Sequence, residues 1–204
     1  NHKRGRSRTA MMGRQGPAVN YRIKTADEKA EFEKIHRLNY KTFAEEIPQH
    51  EKNVDHILVD RFHAENTYLI ALDGEILAGM MAVRGKRPFS LDEKITGLDQ
   101  YLPAGRTVCE IRLLAVEQKY RGGPVFYLLM KEMAEYCMKA GYDYAIISGT
   151  TRQQKLYHHM GFKPLHPKVG QEGAWFVPMG VSLEDFRERL GALIESQEKG
   201  QKKG

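Results

Sequence analysis

One run constrains the fold of this chain more than any other. Val108 to Val116 (VCEIRLLAV) is apolar, carries branched residues and reads as a strand. A turn containing Arg121, Gly122 and Gly123 follows it. From Gly123 to Ala140 the apolar residues Val125, Leu128, Leu129, Met133, Tyr136 and Cys137 recur at helical spacing, and Gly141 ends the pattern. Tyr144 to Ser148 (YAIIS) is a short apolar run after that helix, which predicts a buried strand parallel to the first. A strand–helix–strand unit of this length is a crossover, right-handed by default. It commits the chain to helices layered on a sheet.

The rest of the chain supplies antiparallel partners. Tyr21 to Lys24 alternates and reads as a first strand. Thr25 and Glu28 form a capping-box pattern, which predicts a helix from about Ala26 to Glu45 with Phe32, Ile35, Leu38, Tyr40 and Phe43 on its apolar stripe. Ile47–Pro48 breaks it, and a weaker helical stretch covers residues 53–63. Asp73–Gly74 predicts a hairpin between Thr67–Leu72 and Glu75–Arg84, with Gly79 at a bulge or a close backbone approach. Gly85 to Arg106 is a long connection with room for one or two helical turns, and long connections are often functional. Thr150 or Thr151 caps a short helix that runs through Met160 and is closed by Gly161. Phe162–His166 and Ala174–Val181 are the last expected strands. Ser182 and Asp185 start a final helix to about Gln197.

The expected class is α/β (α+β), a mixed and mostly antiparallel sheet flanked by helices with parallel splayed strands in its middle. The expected division is a disordered basic extension over residues 1–18, a globular domain over 19–181, and a C-terminal helix with a frayed tail over 182–204.

Charge narrows the function. Of 32 basic residues, five (Lys3, Arg4, Arg6, Arg8 and Arg14) lie in the first fourteen, which hold no acid. The other 27 face 26 acidic residues, so the body is nearly neutral and carries no nucleic-acid footprint. No apolar stretch has transmembrane length. Cys109 and Cys137 lack metal-type spacing and fit buried thiols in a reducing cytoplasm. His158 and His159 lack a third ligand at metal spacing, so no metal is expected. The methionines Met80, Met81, Met130 and Met133 read as core, or as the adaptable wall of an acyl tunnel.

Gly122 and Gly123 stand where a strand meets a helix. Free backbone N–H groups and the helix dipole can hold a phosphate there, and Arg121 adds a cation; a tight turn alone also explains the glycines. The run VEQKYRGGPVF before an amphipathic helix resembles the acyl-CoA-binding motif of GNAT-type N-acyltransferases. Downstream, TRQQKLYHHMGF resembles their second motif, with Leu156–Tyr157 three residues before Gly161–Phe162. Within that superfamily, LNYKTFAEE (Leu38–Glu46) and the Glu110–Arg112 pair are similar to motifs of acyl-homoserine-lactone synthases and N-acyl amino acid synthases. Those relatives typically carry an arginine where Asn39 stands, and the lactone synthases space the strand Glu and Arg three apart rather than two.

The resemblance implies transfer of an acyl group from a pantetheine thioester, on CoA or an acyl carrier protein, to the primary amine of an amino acid or similar small molecule. It implies backbone contacts to the cosubstrate from Leu114, Ala115 and Val116. It also implies a cofactor site built from Tyr120, Arg121, Gly122, Gly123, Val125, Phe126 and Thr150, and a general-acid role for Tyr157. Two departures bear on the donor. Pro124 has no N–H to offer a pyrophosphate, and Phe126 replaces a glycine. Both point toward a carrier-protein donor with its single phosphodiester.

Strand alternation places Glu110, Arg112, Leu114 and Val116 on one face. Glu110 is then a general base, or it orients the acceptor while Arg112 binds an acceptor carboxylate, or the two form a plain ion pair. Arg84 is a second candidate for the acceptor carboxylate, with Arg87 nearby. The alternatives to this enzyme are an acetyl-CoA-dependent N-acetyltransferase and a non-catalytic acyl-CoA or acyl-carrier sensor module.

Overall fold

A computed structural model describes residues 19–202; the expected disorder of residues 1–18 lies outside the described residues. The strands are β1 (Arg22–Thr25), β2 (Thr67–Asp73), β3 (Ile76–Arg84), β4 (Val108–Val116), β5 (Tyr144–Thr150), β6 (Lys163–Pro164) and β7 (Phe176–Ser182). They form one sheet in the order β1-β2-β3-β4-β5-β7-β6. Every pairing is antiparallel except β4 with β5. The mixed sheet with a central parallel pair is the one expected.

Helix α1 (Lys29–Tyr40) begins later than Thr25. Glu31 Oε1 accepts the amides of Asp27 and Glu28 at 3.0 Å each, so the capping box lies three residues further on. Residues Lys41–Glu46 continue as a π-helix, and Ile47 closes it in an extended conformation. Helix α2 (Ser90–Lys94) sits in the long connection. Helix α3 (Val125–Ala140) covers one sheet face, with Gly141 in the left-handed region at φ 83° as its stop. The short α4 (Gln154–His159) follows β5, and α5 (Leu183–Gln201) starts at Ser182, whose Oγ accepts the Asp185 amide.

The helix expected over residues 53–63 is instead a loop that ends in a 3-10 turn at His63–Glu65. Local side-chain bonds compete with the helix: Asn53 Nδ2 donates to the Ile57 carbonyl, and Asp60 Oδ2 accepts the Phe62 amide. His56 adopts φ 55°. The loop lies against the functional face of β4 because Asp60 is tied to Arg112.

Two cores sandwich the sheet. One holds Leu129, Met130, Met133 and Cys137 of α3 against β4, β5 and β7; the other packs Ile35 and Leu38 of α1 against β2 and β3. Met80 lies in the second and Met81, Met130 and Met133 in the first. Gly79 is a close approach: a Cβ there would sit 2.8 Å from Val125 Cγ1. A small third core under α2 joins Phe89 and Leu91 to Ile146 and Phe176.

Candidate active site

The site is made by an irregularity in β4. Val83 pairs with Ile111 and Ala82 with Arg112, but Met80 then pairs with Ala115. Two steps along β3 therefore match three along β4, which is a β-bulge. Leu113 carries it at φ 55°, a costly conformation for a branched residue and one that clusters at functional sites. The bulge reverses the alternation. Cys109, Ile111, Leu114 and Val116 all face the α3 core, while Leu113 and Ala115 face the α1 core. The expectation that Glu110, Arg112, Leu114 and Val116 share a face is corrected by this one extra residue.

The β4–β5 ladder ends at Ile111 and Ile147, although both strands continue. Where they part lies a cavity of about 90 Å³ lined by Ile111, Arg112, Leu113, Leu114, Ser148 and Thr150, with Gln153 of the following turn and Tyr157 of α4. Thr150 Oγ1, on a residue lining this cavity, is buried without a hydrogen-bond partner. A larger cavity of about 620 Å³ adjoins it, walled by Asn39, Leu58, Val59, Asp60, Val169 and Phe176 among others. Asn39 Nδ2 donates to the Leu58 carbonyl at 2.9 Å, but its Oδ1 is buried and unpartnered. Gln49, His50, Ser90, Lys94 and Arg112 line both spaces and mark their junction.

Glu110 faces away from both cavities. Its Oε1 accepts the Ser90 amide at 2.9 Å, and its Oε2 accepts the Ser90 hydroxyl at 2.9 Å and the Leu91 amide at 3.1 Å. Arg112 Nε lies 3.4 Å from Oε1. A carboxylate offers about four lone-pair sites, and four donors meet this one. Glu110 is 1% exposed, so a proton-abstracting role by direct contact has neither a free lone pair nor an open path. It holds the first turn of α2 onto β4.

The Arg112 guanidinium is gripped by both carboxylate oxygens of Asp60, one at 2.9 Å. Burial pushes the Asp60 carboxyl up, but Arg112 outweighs it and holds the group below the usual carboxylate range. Arg112 therefore reaches the junction with its charge already matched. Arg84 does not reach it at all. That side chain is 2% exposed, bonds Glu65 Oε2 at 2.7 Å and the Pro88 carbonyl, and stacks 3.7 Å from the Phe62 ring centroid. It pins the start of the long connection instead of lining the acceptor space. Arg87 pairs with Asp92 and Asp99 at the surface.

Lys94 has no carboxylate partner among the described residues, and its Nζ sits 4.6 Å over the Phe176 ring. It is an exposed residue, and the two cavities are part of the space it is exposed to. Burial of the amine nonetheless lowers its pKa, opposed by Glu110.

The phosphate turn is well braced. Tyr120 donates to Asp73 Oδ2 at 2.6 Å, and that bond, with burial, raises its phenol to about 12. Arg121 donates from Nε to the Val116 carbonyl and from its terminal nitrogen to Glu46 Oε2 at 2.7 Å, which Arg152 also contacts. Gly122 has φ 80°, and Pro124 caps α3. Val125 and Phe126 point into the core, so they offer backbone alone to a phosphate. Phe126 packs toward Tyr157 and does not crowd the turn.

Tyr157 is buried at the end of the smaller cavity, and its hydroxyl donates to Gln153 Oε1 at 2.9 Å. Burial pushes its pKa up, so the phenol keeps its proton across the neutral range. Sequence patterns single out neither Asp60, His50, Ser90 nor Lys94. Only the length of residues 85–106 marks the region of two of them.

The mixed sheet with its split β4–β5 pair is the fold expected of GNAT-type acyltransferases. The chain belongs to the family described as N-acyl amino acid synthase FeeM, whose model matches residues 34–179, and is an N-acyltransferase moving acyl groups to an amine. No curated protein sequence matches it. Among solved structures it is similar to BjaI, a CoA-dependent acyl-homoserine lactone synthase solved with SAM and isopentyl-CoA, at 23% identity over 78% of this chain and 82% of that one, with a TM-score of 0.64. FeeM, an N-acyl amino acid synthase from uncultured soil microbes, shares 16% identity over 83% of this chain and 94% of its own, with a TM-score of 0.64. An N-acetyltransferase from Staphylococcus aureus Mu50 shares 14% identity over 80% and 99%, with a TM-score of 0.56. At these identities the solved structures speak to the fold. No described helix is long and apolar enough to cross a membrane.

Proposed function

We propose that the protein joins an acyl group from a pantetheine thioester to the amine of an amino acid, with the donor in the split between β4 and β5 and the acceptor in the larger cavity. The observation that carries this is that a residue lining each adjoining space holds a buried polar atom without a partner: Thr150 Oγ1 beside the smaller and Asn39 Oδ1 beside the larger. A buried polar atom without a partner is costly, and a substrate hydrogen bond relieves the cost. Pantetheine carries amides suited to the first. The acceptor supplies a donor to the second.

Lys94 is the cation suited to the acceptor carboxylate. Arg112 is already neutralised by Asp60, so its part is to shape and polarise the junction. The amine nitrogen attacks the thioester carbon, a C–N bond forms, and the C–S bond breaks with its electron pair on sulfur. Tyr157, protonated and adjoining the donor space, gives the thiolate its proton.

The turn favours a carrier-protein donor over CoA. Pro124 brings no N–H to the helix start, and the Arg121 charge is matched by Glu46. Thiol release with matched acyl-CoA and acyl-carrier donors, across a panel of amino acids, tests both halves of the reading. Turnover with an amino acid acceptor is expected, faster from the carrier. A strong CoA preference overturns the carrier assignment, and binding of donor without thiol release overturns the enzyme in favour of a sensor. In Tyr157→Phe we expect a kcat about 10²-fold lower with little change in donor KM.

A further inference from the structure

We infer that His50 is the base that takes the proton from the acceptor amine. The inference deepens the reading just given and rests on it. Acyl transfer needs the amine unprotonated where the two substrates meet, and few groups at that meeting point can accept a proton. Of the five residues that line both cavities, Gln49 and Ser90 are not bases at neutral pH, and Arg112 never releases its proton in a protein. Lys94 is a cation in a space that suits a carboxylate. Glu110, the base expected from sequence, has its oxygens filled and touches neither cavity. Asp60 is clasped by Arg112. His50 is left, with no hydrogen bond to its ring among the described residues.

The local electrostatics suit the role. His50 is an exposed residue at the cavity junction, and its partial burial there lowers the imidazole pKa below its ordinary value. Asp60 opposes the shift, and Lys94, Arg112 and Arg61 reinforce it. The ring is therefore neutral at pH 7, with a lone pair available. The backbone fixes its place: the His50 amide donates to the Phe43 carbonyl at 3.0 Å, folding the residues after the π-helix back over the junction. A π-helical turn is frequent at functional sites, and here it re-aims the chain just before His50.

The protons balance. As the amine nitrogen bonds to the thioester carbon, its surplus proton passes to the His50 ring. The departing thiolate takes a proton from Tyr157, and both side chains re-equilibrate with water. The sum is amide plus free thiol.

The test is a pH–rate profile of wild type, His50→Gln and His50→Asn with a carrier-protein or CoA thioester and the best amino acid acceptor. In wild type, kcat/KM falls on the acid side as His50 becomes charged, below the ordinary imidazole range. The variants lose that limb and drop about 10²-fold in kcat at pH 7, with donor and acceptor KM near wild type. The gap narrows as pH rises and the free amine deprotonates itself. A variant that keeps wild-type kcat at pH 7 overturns the inference. If both variants unfold, the wild-type profile decides: an acid limb with the ionisation enthalpy of imidazole supports His50, and a flat profile overturns it. Wild-type protein that turns over no amino acid overturns the parent reading as well, which separates the two failures.

Discussion

Ser90 meets Glu110 twice, its amide at 2.9 Å from Oε1 and its hydroxyl at 2.9 Å from Oε2. The pair joins the first turn of α2 to the first half of β4, and so places Lys94, four residues on, at the cavity junction. Glu110→Gln puts an NH2 against groups that are themselves donors. We expect a loss of about 1.5–3 kcal/mol in folding stability and a rise in acceptor KM with it. Denaturant unfolding and acceptor titration check both; an unchanged midpoint contradicts the tie.

Thr150→Val removes a hydroxyl that has no partner in the free protein. Stability in the absence of donor should hold or rise. Donor binding should weaken by about 0.5–1.5 kcal/mol as the substrate loses a hydrogen bond. Calorimetry of donor binding beside a thermal melt separates the two effects, and equal donor affinity counts against the assignment of the smaller cavity.

Lys94→Met keeps an unbranched side chain and deletes the charge, with the ammonium's contact over the Phe176 ring. Acceptor KM should rise by about tenfold or more, the scale of a charge-assisted hydrogen bond, while donor KM stays put. An amine acceptor without a carboxylate should be indifferent to the change. If both kinds of acceptor weaken alike, Lys94 acts through packing.

The capping glutamate predicts an acid-sensitive step. Burial pushes the Glu31 carboxyl up, but the Asp27 and Glu28 amides and Lys24 outweigh it and hold it at about 2, against 4.5 when unperturbed. A depressed carboxylate stabilises the fold above its unfolded value, and the contribution is lost as pH falls from about 4.5 toward 2. It amounts to roughly 3 kcal/mol at neutral pH. Urea unfolding of wild type and Glu31→Gln should therefore differ at pH 7 and converge in acid. A constant difference across that window removes the linkage.

Much of this architecture is legible in the sequence because it rests on short-range patterns. The hairpin at Asp73–Gly74, the period of α3 and the stop at Gly141 are local physics, and each is where the residues put it. The stretch 53–63 misleads because Asn53 and Asp60 spend their side chains on nearby backbone, and Asp60 is held in place by a distant arginine. Alternation along β4 misleads for a similar reason: Leu113 carries no glycine-like signature of positive φ. The pairing of Glu110 with Ser90 spans 20 residues and that of Asp60 with Arg112 spans 52, so neither is visible to a local reading.

The bulge at Leu113 also counts residues. Every position after it enters the opposite core from the one simple alternation assigns. Removing the extra residue between Arg112 and Leu114 would erase the bulge and leave Leu114 and Val116 on the α3 side, whereas adding one more would turn them out of that core and drive Ala115 into it, with Glu110 and Arg112 in place. The segment therefore cannot lengthen freely: an added residue there sets the half of β4 that faces the acceptor out of step with the half that borders the donor.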